Sequence, residues 1–374
     1  MLSVVDIGSV NVFLDDRPVG TLARDDEGLV CFEYDAEWLA HGFSISPLSL
    51  PLRPLLFRPA WEPFEGMFGV FSDSLPDGWG RLLVDRALKA QGIAPERVDE
   101  LARLAIVGSD GMGALRYEPA IGEGASGSID DFDKFAAACK AVLADQDVSD
   151  FDNLVALGGS SGGARPKALV SYGGESWIVK FPTHRDGPDA GRLEYEYAAC
   201  ARSCGIRMPE TRLFPSSETP GYFGVKRFDR EGGTRIHMVS AAGLLEASHR
   251  LPALDYRMLM QLTMILTNNM NEVLQMFRLM CFNVFAHNQD DHAKNFSFLC
   301  RNGQWELSPA YDLTYSTTFG NEHSTSANGK GRPDMTDILD VAREFGIPAK
   351  KASRIADGIR DACSDLLQRN GLEP

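Results

Sequence analysis

A ten-residue polar segment, HNQDDHAKNF at 287–296, most constrains what this chain can fold into. A long amphipathic helical stretch precedes it, and a β-like run, FSFLC, follows. That run belongs to a short hairpin, FSFLCRNGQWELS, which ends in SPAYDLTYS and delivers Asp312 seventeen residues after Asn295. Helix, polar loop, hairpin and second carboxylate, in that order, put one hard oxygen ligand on each arm of the hairpin.

Asp290 and Asn295 stand in the spacing D-x-x-x-x-N. In a protein-kinase catalytic loop that spacing places a carboxylate to orient the acceptor hydroxyl and an amide oxygen on Mg²⁺. Asp312 is the natural second metal ligand. Upstream, Lys180 lies inside the β-branched run SWIVKFP and Glu194 on the helix that follows, an arrangement that pairs a phosphate-holding lysine with a helix carboxylate. Further upstream, GGSSGGARPK at 158–167 can bring consecutive backbone N–H groups close to phosphates. It is neither a Walker A loop nor a G-x-G-x-x-G match.

Each feature has a plainer reading. Glycine loops are mostly turns, Lys180 alone fits a snorkelling edge-strand residue, and Asp290, Asp291 and His292 fit a helix cap or solvated loop. Agreement of all four in order, spacing and context favours phosphoryl transfer. A metal-dependent hydrolase built on His287, Asp290, Asp291 and His292 is the competing enzyme. Its histidines are i, i+5, so on a helix the rings would not share a face.

The rest of the chain reads as an α+β protein. Residues 11 to 34 alternate apolar and polar around turns at Asp15–Pro18 and Asp25–Gly28, as antiparallel hairpins do. An extended SISPLSLPLRP follows, then a helix opened by Pro76 and Asp77, then a return to strand in IVGSDGMGALRY. The Gly- and Ser-rich segment 119–130 reads as a linker. It divides a first subdomain, 1–118, from a β-rich part, 131–235, and a helical lobe, 236–374. The β-rich part opens with a helix from Asp131 to Ala144, followed by the glycine loop on a hairpin turned at Gly173-Gly174, the helix Leu193–Cys204 and a second strand pair. In the helical lobe, 316–333 is polar and turn-rich, and 337–363 has a helix-turn-helix rhythm that fits ordinary bundle packing better than DNA reading.

Charge and cysteine content narrow the partners. Lys and Arg number 37 against 52 Asp and Glu, and the net charge of −15 argues against a surface devoted to phosphate backbones. Seven cysteines form no CxxC pair and read as reduced core thiols in cytoplasm. Cys200 and Cys204, one turn apart, read as a packed helix face. The N-terminus lacks signal-peptide features, and the apolar stretch 258–286 is broken by Asn268, Asn269, Asn271, Glu272 and Arg278, so no membrane span is expected.

A family pattern is carried by NVFLDDRPVGTL, FEYDAEWLA, PLSLPLRP, FSDSLPDGW and IVGSDGMGAL in the first part. GGSSGGARPKAL, WIVKFP, LEYEYAACARSCGI, VKRFDR, NQDDHAKNF and PAYDL carry it in the second. On these residues the chain resembles, over nearly its whole length, the HipA family of toxin kinases from bacterial type II toxin–antitoxin systems. The resemblance implies a two-lobed protein-kinase-like fold with a family-specific N-terminal subdomain and a mostly helical C-terminal lobe. Asp290 would be the catalytic base, Asn295 and Asp312 the Mg²⁺ ligands, and Lys180, with Glu194, the ATP-phosphate lysine. Nucleotide contacts would come from Gly158, Gly159, Ser160, Ser161, Gly162, Gly163 and Lys167 of the loop and from His292 and Lys294. Lys226, Arg227 and Phe228 would form the hinge beside adenine, with Lys226 where the best-known member has an acidic residue.

The resemblance further implies self-silencing by autophosphorylation of the loop at Ser160, or at the adjacent Ser161. It implies transfer to a serine of a translation-machinery protein, typically an aminoacyl-tRNA synthetase, with growth arrest and persistence as the outcome. A HipB-like helix-turn-helix antitoxin would be the partner, bringing operator DNA mainly through itself. A degenerate kinase acting only as antitoxin-bound co-repressor is the non-enzyme alternative; loss of Asp290, Asn295, Asp312 or Lys180 would favour it, and all four are present.

Overall fold

The alternation in the first region produces three consecutive antiparallel strands, Ser9–Leu14, Arg17–Arg24 and Val30–Tyr34. Val10, Val12, Val30 and Phe32 turn into the core at the spacing of two that a half-buried sheet requires, and Val19 joins Leu22 there across a register shift at Val12–Phe13. The computed structural model describes residues 7–121, 129–248, 250–251, 254–318 and 320–373. Residues 1–6, and 122–128 of the expected linker, lie outside the described residues.

Leu56–Phe57 and Leu115–Glu118 complete a five-stranded sheet, one at each edge. SISPLSLPLRP is not a continuous extended run: a bridge between Ser46 and Leu50 closes a turn inside it. Nor does IVGSDGMGALRY begin as strand. Ile106 and Val107 end the helix Glu100–Val107, whose apolar face carries the chain up to Gly108. Strand starts only at Leu115.

The next part is built on four antiparallel strands in the order Lys167–Tyr172, Glu175–Lys180, Tyr222–Lys226, Thr211–Phe214. Gly173 and Gly174, with φ of 61° and 79°, give the two left-handed residues that a tight hairpin needs. One helix was not expected from sequence: Phe151–Gly158 absorbs Gly158, so the glycine loop begins at the helix end. The helices Phe132–Leu143 and Ala190–Ser203 match the sequence expectation within about three residues.

The lower lobe contains the helices Tyr256–Thr267 and Met270–Phe285, with Asn268 closing the first and Asn269 capping the second. Among the described residues no helix is long and apolar enough to cross a membrane. Met335–Glu344 and Ala349–Asn370 pack Ile338, Val341, Ala352, Ile359 and Leu366 into the same core, as bundle helices do. A three-stranded sheet, His237–Ser240, Ser297–Arg301 and Gln304–Leu307, carries the hairpin between Asn295 and Asp312.

Two large apolar clusters organise the molecule. The larger joins the first sheet to the lower helices, from Val10 and Phe32 to Phe282 and Leu366. The second lies under the four-stranded sheet and takes in Trp79 and Leu83 from the helix Gly78–Ala90. That helix of the first region therefore contributes to the core of the upper lobe.

Candidate active site

The strand register sets Lys167 directly opposite Lys180. Like charges facing each other across a sheet repel, so the pair persists only where anions gather. Lys180 Nζ donates to both Glu194 and Asp312, and lies 5.6 Å from the Phe223 ring centre. Glu194 is buried on the helix Ala190–Ser203. Burial alone would push the Lys180 ammonium towards neutrality, but Asp312 and Glu194 reverse that and hold it firmly protonated. Burial likewise opposes ionisation of Asp312, yet Lys180, Lys167 and Arg165 keep its carboxyl far below the usual range. For Lys167 burial prevails and lowers the pKa. Arg165 spans Asp186 at 3.2 Å and Glu194 at 4.0 Å.

Asp312 stands at φ 59°, a left-handed conformation rare outside glycine, where the chain leaves the strand Gln304–Leu307. Asn295 Nδ2 donates to the Asp290 carbonyl at 2.7 Å, which leaves the amide Oδ1 as its acceptor atom. The Asp290 carboxylate is 64% exposed, and its backbone N–H is fixed by Ser316 Oγ at 3.0 Å. Desolvation by the surrounding protein raises its pKa, with Asp312 and Asp291 adding to the effect and His292 and Arg165 opposing it. His292 Nε2 is 3.9 Å from Asp290 Oδ1. His287 turns elsewhere, to Asn321 Oδ1 at 3.1 Å and onto the Tyr315 ring, so the two histidines of the hydrolase reading serve different partners. An amide oxygen and a strongly ionised carboxylate fit the hard-oxygen preference of Mg²⁺.

The glycine loop lies inward. Gly158 ends its helix and Gly159 caps it. Ser161 is buried and donates to the Gly158 carbonyl at 2.6 Å; Ser160 Oγ is buried with no hydrogen-bond partner. Gly163 N–H donates to Asp77 Oδ1, and its carbonyl accepts from the Trp79 N–H at 3.0 Å. Lys294 Nζ donates to Asp77 Oδ2 at 2.8 Å.

In the segment expected to form the hinge, Lys226 pairs with Glu175 at 2.9 Å. The Arg227 guanidinium is buried and bidentate to Asp229, at 2.9 and 2.7 Å, so its side chain is committed to structure. Asp229 also accepts from the Gly113 N–H, while Arg230 reaches the Gly111 and Gly113 carbonyls, locking the hinge onto the first region. Phe228 packs on Tyr311, ring centres 5.6 Å apart.

Two family models match most of the chain. The model of the HipA N-terminal domain matches residues 10–118, and that of the HipA-like C-terminal domain matches residues 159–367. The chain belongs to the HipA family. A Sinorhizobium fredii protein described as "Putative kinase Y4mE" is 26% identical over 397 residues, 96% of this chain and 91% of that protein. HipA of Shewanella oneidensis MR-1, solved with HipB and its operator DNA, superposes with a TM-score of 0.71 at 19% identity. The match covers 98% of this chain and 92% of that one and shows a shared fold. The architecture is thus the two-lobed, kinase-like HipA fold with its N-terminal subdomain.

Within this HipA fold several site residues escaped sequence reasoning. Asp77 read only as a helix opener. Asp291 is fully buried and accepts from Tyr256 Oη at 2.7 Å, the Thr325 N–H at 3.1 Å and the His323 ring at 3.1 Å. Tyr311 Oη donates to the Lys294 carbonyl at 2.6 Å. The adjacency of Tyr311 to Asp312 was the available signal for the last; Asp77 and Asp291 lie within the FSDSLPDGW and NQDDHAKNF motifs, but nothing local showed which partners their carboxylates take.

Proposed function

We propose that this HipA-family chain is an ATP- and Mg²⁺-dependent serine/threonine protein kinase of the cytoplasm and the toxin of a HipBA-like module. The observation that carries the reading is the single ammonium of Lys180, bonded to both Glu194 and Asp312. Such a cation, fixed and fully charged, suits an ATP phosphate. Asn295 and Asp312 would hold Mg²⁺, which when bound supplies charge neutralisation at the phosphates. Asp290 orients the acceptor hydroxyl and takes its proton as the oxygen bonds to phosphorus and the bond to ADP breaks. A carboxylate largely open to solvent is accessible to a protein side chain.

The acceptor we propose is a serine of a translation protein, an aminoacyl-tRNA synthetase, and the partner a HipB-like antitoxin that brings operator DNA. The solved Shewanella complex of HipA with HipB and operator DNA supports that partner class. The units of action are residues 1–118, 131–235 and 236–374, joined at 119–130. Self-silencing follows from the loop. A phosphate on Ser160, or Ser161, adds about −1.5 to −2 charge where ATP phosphates would lie. With both hydroxyls tucked in, the loop has to swing outward to be modified.

One experiment tests the reading: wild type and Asp312→Ala are incubated with Mg·ATP, then examined by nucleotide titration and mass spectrometry. Wild type is expected to bind nucleotide and gain phosphate on Ser160 or Ser161, and the variant to do neither. Equal Mg·ATP affinity in both would overturn the metal assignment, and an inert wild type the kinase reading.

A further inference from the structure

We infer that Asp77, which the N-terminal subdomain supplies, is a positioning residue of the phosphoryl-transfer site, holding the phosphate loop and the catalytic segment on one carboxylate. The inference rests on the kinase reading for its consequence, but its geometry stands apart from it.

Asp77 occupies the N-cap position of the helix Gly78–Ala90, where an aspartate ordinarily bonds its own helix's free N–H groups. It makes no such bond. Both oxygens point away from the helix instead: Oδ1 accepts from Gly163 N–H, Oδ2 from Lys294 Nζ. The two donors come from segments 86 and 217 residues away in the chain.

The surroundings are shaped for this contact. A Cβ at Gly78 would stand 2.5 Å from the Gly163 carbonyl oxygen, and one at Gly80 2.3 Å from that of Ser161. Only glycine lets the helix start approach the loop backbone so closely. Trp79 N–H then donates to the Gly163 carbonyl, so both backbone polar groups of Gly163 are held by Asp77 and Trp79 of the N-terminal subdomain.

Lys294 is fixed at both ends, its ammonium by Asp77 and its carbonyl by Tyr311, the neighbour of Asp312. It lies between Asp290 and Asn295. Burial alone would push the Asp77 carboxyl up, but Lys294 and the Gly163 N–H bring it below its ordinary value, so the anion persists. Without that anion, the Lys294 ammonium loses its ion-pair partner. The loop loses its inward anchor in the same stroke.

The test uses the full chain. Asp77→Ala removes the acceptors of both Gly163 and Lys294; Asp77→Ser, too short to reach Lys294, replaces it if the alanine variant does not fold. In the nucleotide-free protein, amide hydrogen exchange across 159–164 should quicken in the variant while the melting temperature changes little. Affinity for Mg·ATP should fall about 10-fold, the scale of a lost charged hydrogen bond, while phosphoryl transfer at saturating ATP changes by less than about 3-fold. In a Lys294→Met background the same substitution should add little to the loss of affinity, because its partner is already gone. Unchanged loop exchange, or full additivity with Lys294→Met, would overturn the assignment. A wild type that binds no Mg·ATP would sink the kinase reading alone, since the exchange comparison still decides whether Asp77 holds the loop.

Discussion

The lower wall of the cleft is anchored largely by its own lobe, with Lys294 reaching out to Asp77, whereas the loop of the upper wall leans more heavily on a neighbour. Below, Gln289 exchanges hydrogen bonds with Thr318, Asn321 and Ser324, and Asp291 is enclosed by Tyr256, His323 and Thr325. Above, the loop 159–167 is tied to its own lobe at its ends, by Ser161 to Gly158 and by Pro166 to Phe181, while its middle, at Gly163, is held by Asp77 and Trp79. Many bonds within the lobe make a platform for Asp290 and Asn295. A loop bonded to another subdomain through Gly163 can take a second position when that contact is released, which the proposed modification of Ser160 or Ser161 requires.

If the lower wall is a platform for chemistry, its two adjacent aspartates should fail in opposite ways. Asp290→Asn should lower phosphoryl transfer about 10²- to 10⁴-fold, the range for a general base, with Mg·ATP affinity and melting temperature nearly unchanged because nothing folds against that exposed carboxylate. Rapid-quench transfer assays beside nucleotide titration measure the split, and near-normal turnover would break the comparison at its centre.

Asp291→Ala should do the reverse. It strips partners from a buried tyrosine hydroxyl, a backbone N–H and a histidine, at a cost of about 3 kcal/mol of stability. Denaturant unfolding reads that loss directly. Full-strength stability would mean the platform does not depend on Asp291.

How far sequence reaches follows the same division. Lys180, Glu194, Asn295 and Asp312 were legible because each is placed by a strand, helix or hairpin whose periodicity is written locally. The platform beneath them was not, since 316–333 reads only as polar turns, and the bonds from Thr318, Asn321 and Thr325 to the catalytic segment carry no local pattern. Asp77 was misleading for a physical reason: aspartate before a helix is so commonly a cap that its outward use leaves no trace. Arg227 was placed at the hinge by alignment of motifs, but the pairing with Asp229 that turns its side chain inward depends on the Gly111–Gly113 segment more than a hundred residues earlier.

The smallest effect concerns what attaches the N-terminal subdomain to the lower lobe. Glu246, at the end of the short helix Ala241–Leu245, accepts the Gly69 N–H on both oxygens, each at 3.1 Å. Burial pushes its pKa up to about 7, with Asp73 adding to the rise and the bonds from Gly69 and Ser49 opposing it. A carboxyl whose pKa is higher folded than unfolded stabilises the fold only while protonated. Between about pH 4.5 and 7 the unfolded chain has released a proton that the folded chain still holds, so stability falls as pH rises through this window. Glu246→Gln keeps an acceptor for Gly69 and cannot ionise, so melting temperatures at pH 5 and pH 8 should lie closer together than in wild type. An unchanged pH slope would show that the attachment of the subdomain does not titrate at Glu246. A flattened slope with unaltered loop exchange at 159–164 would show that the contacts of the subdomain at Glu246 and at Asp77 act independently.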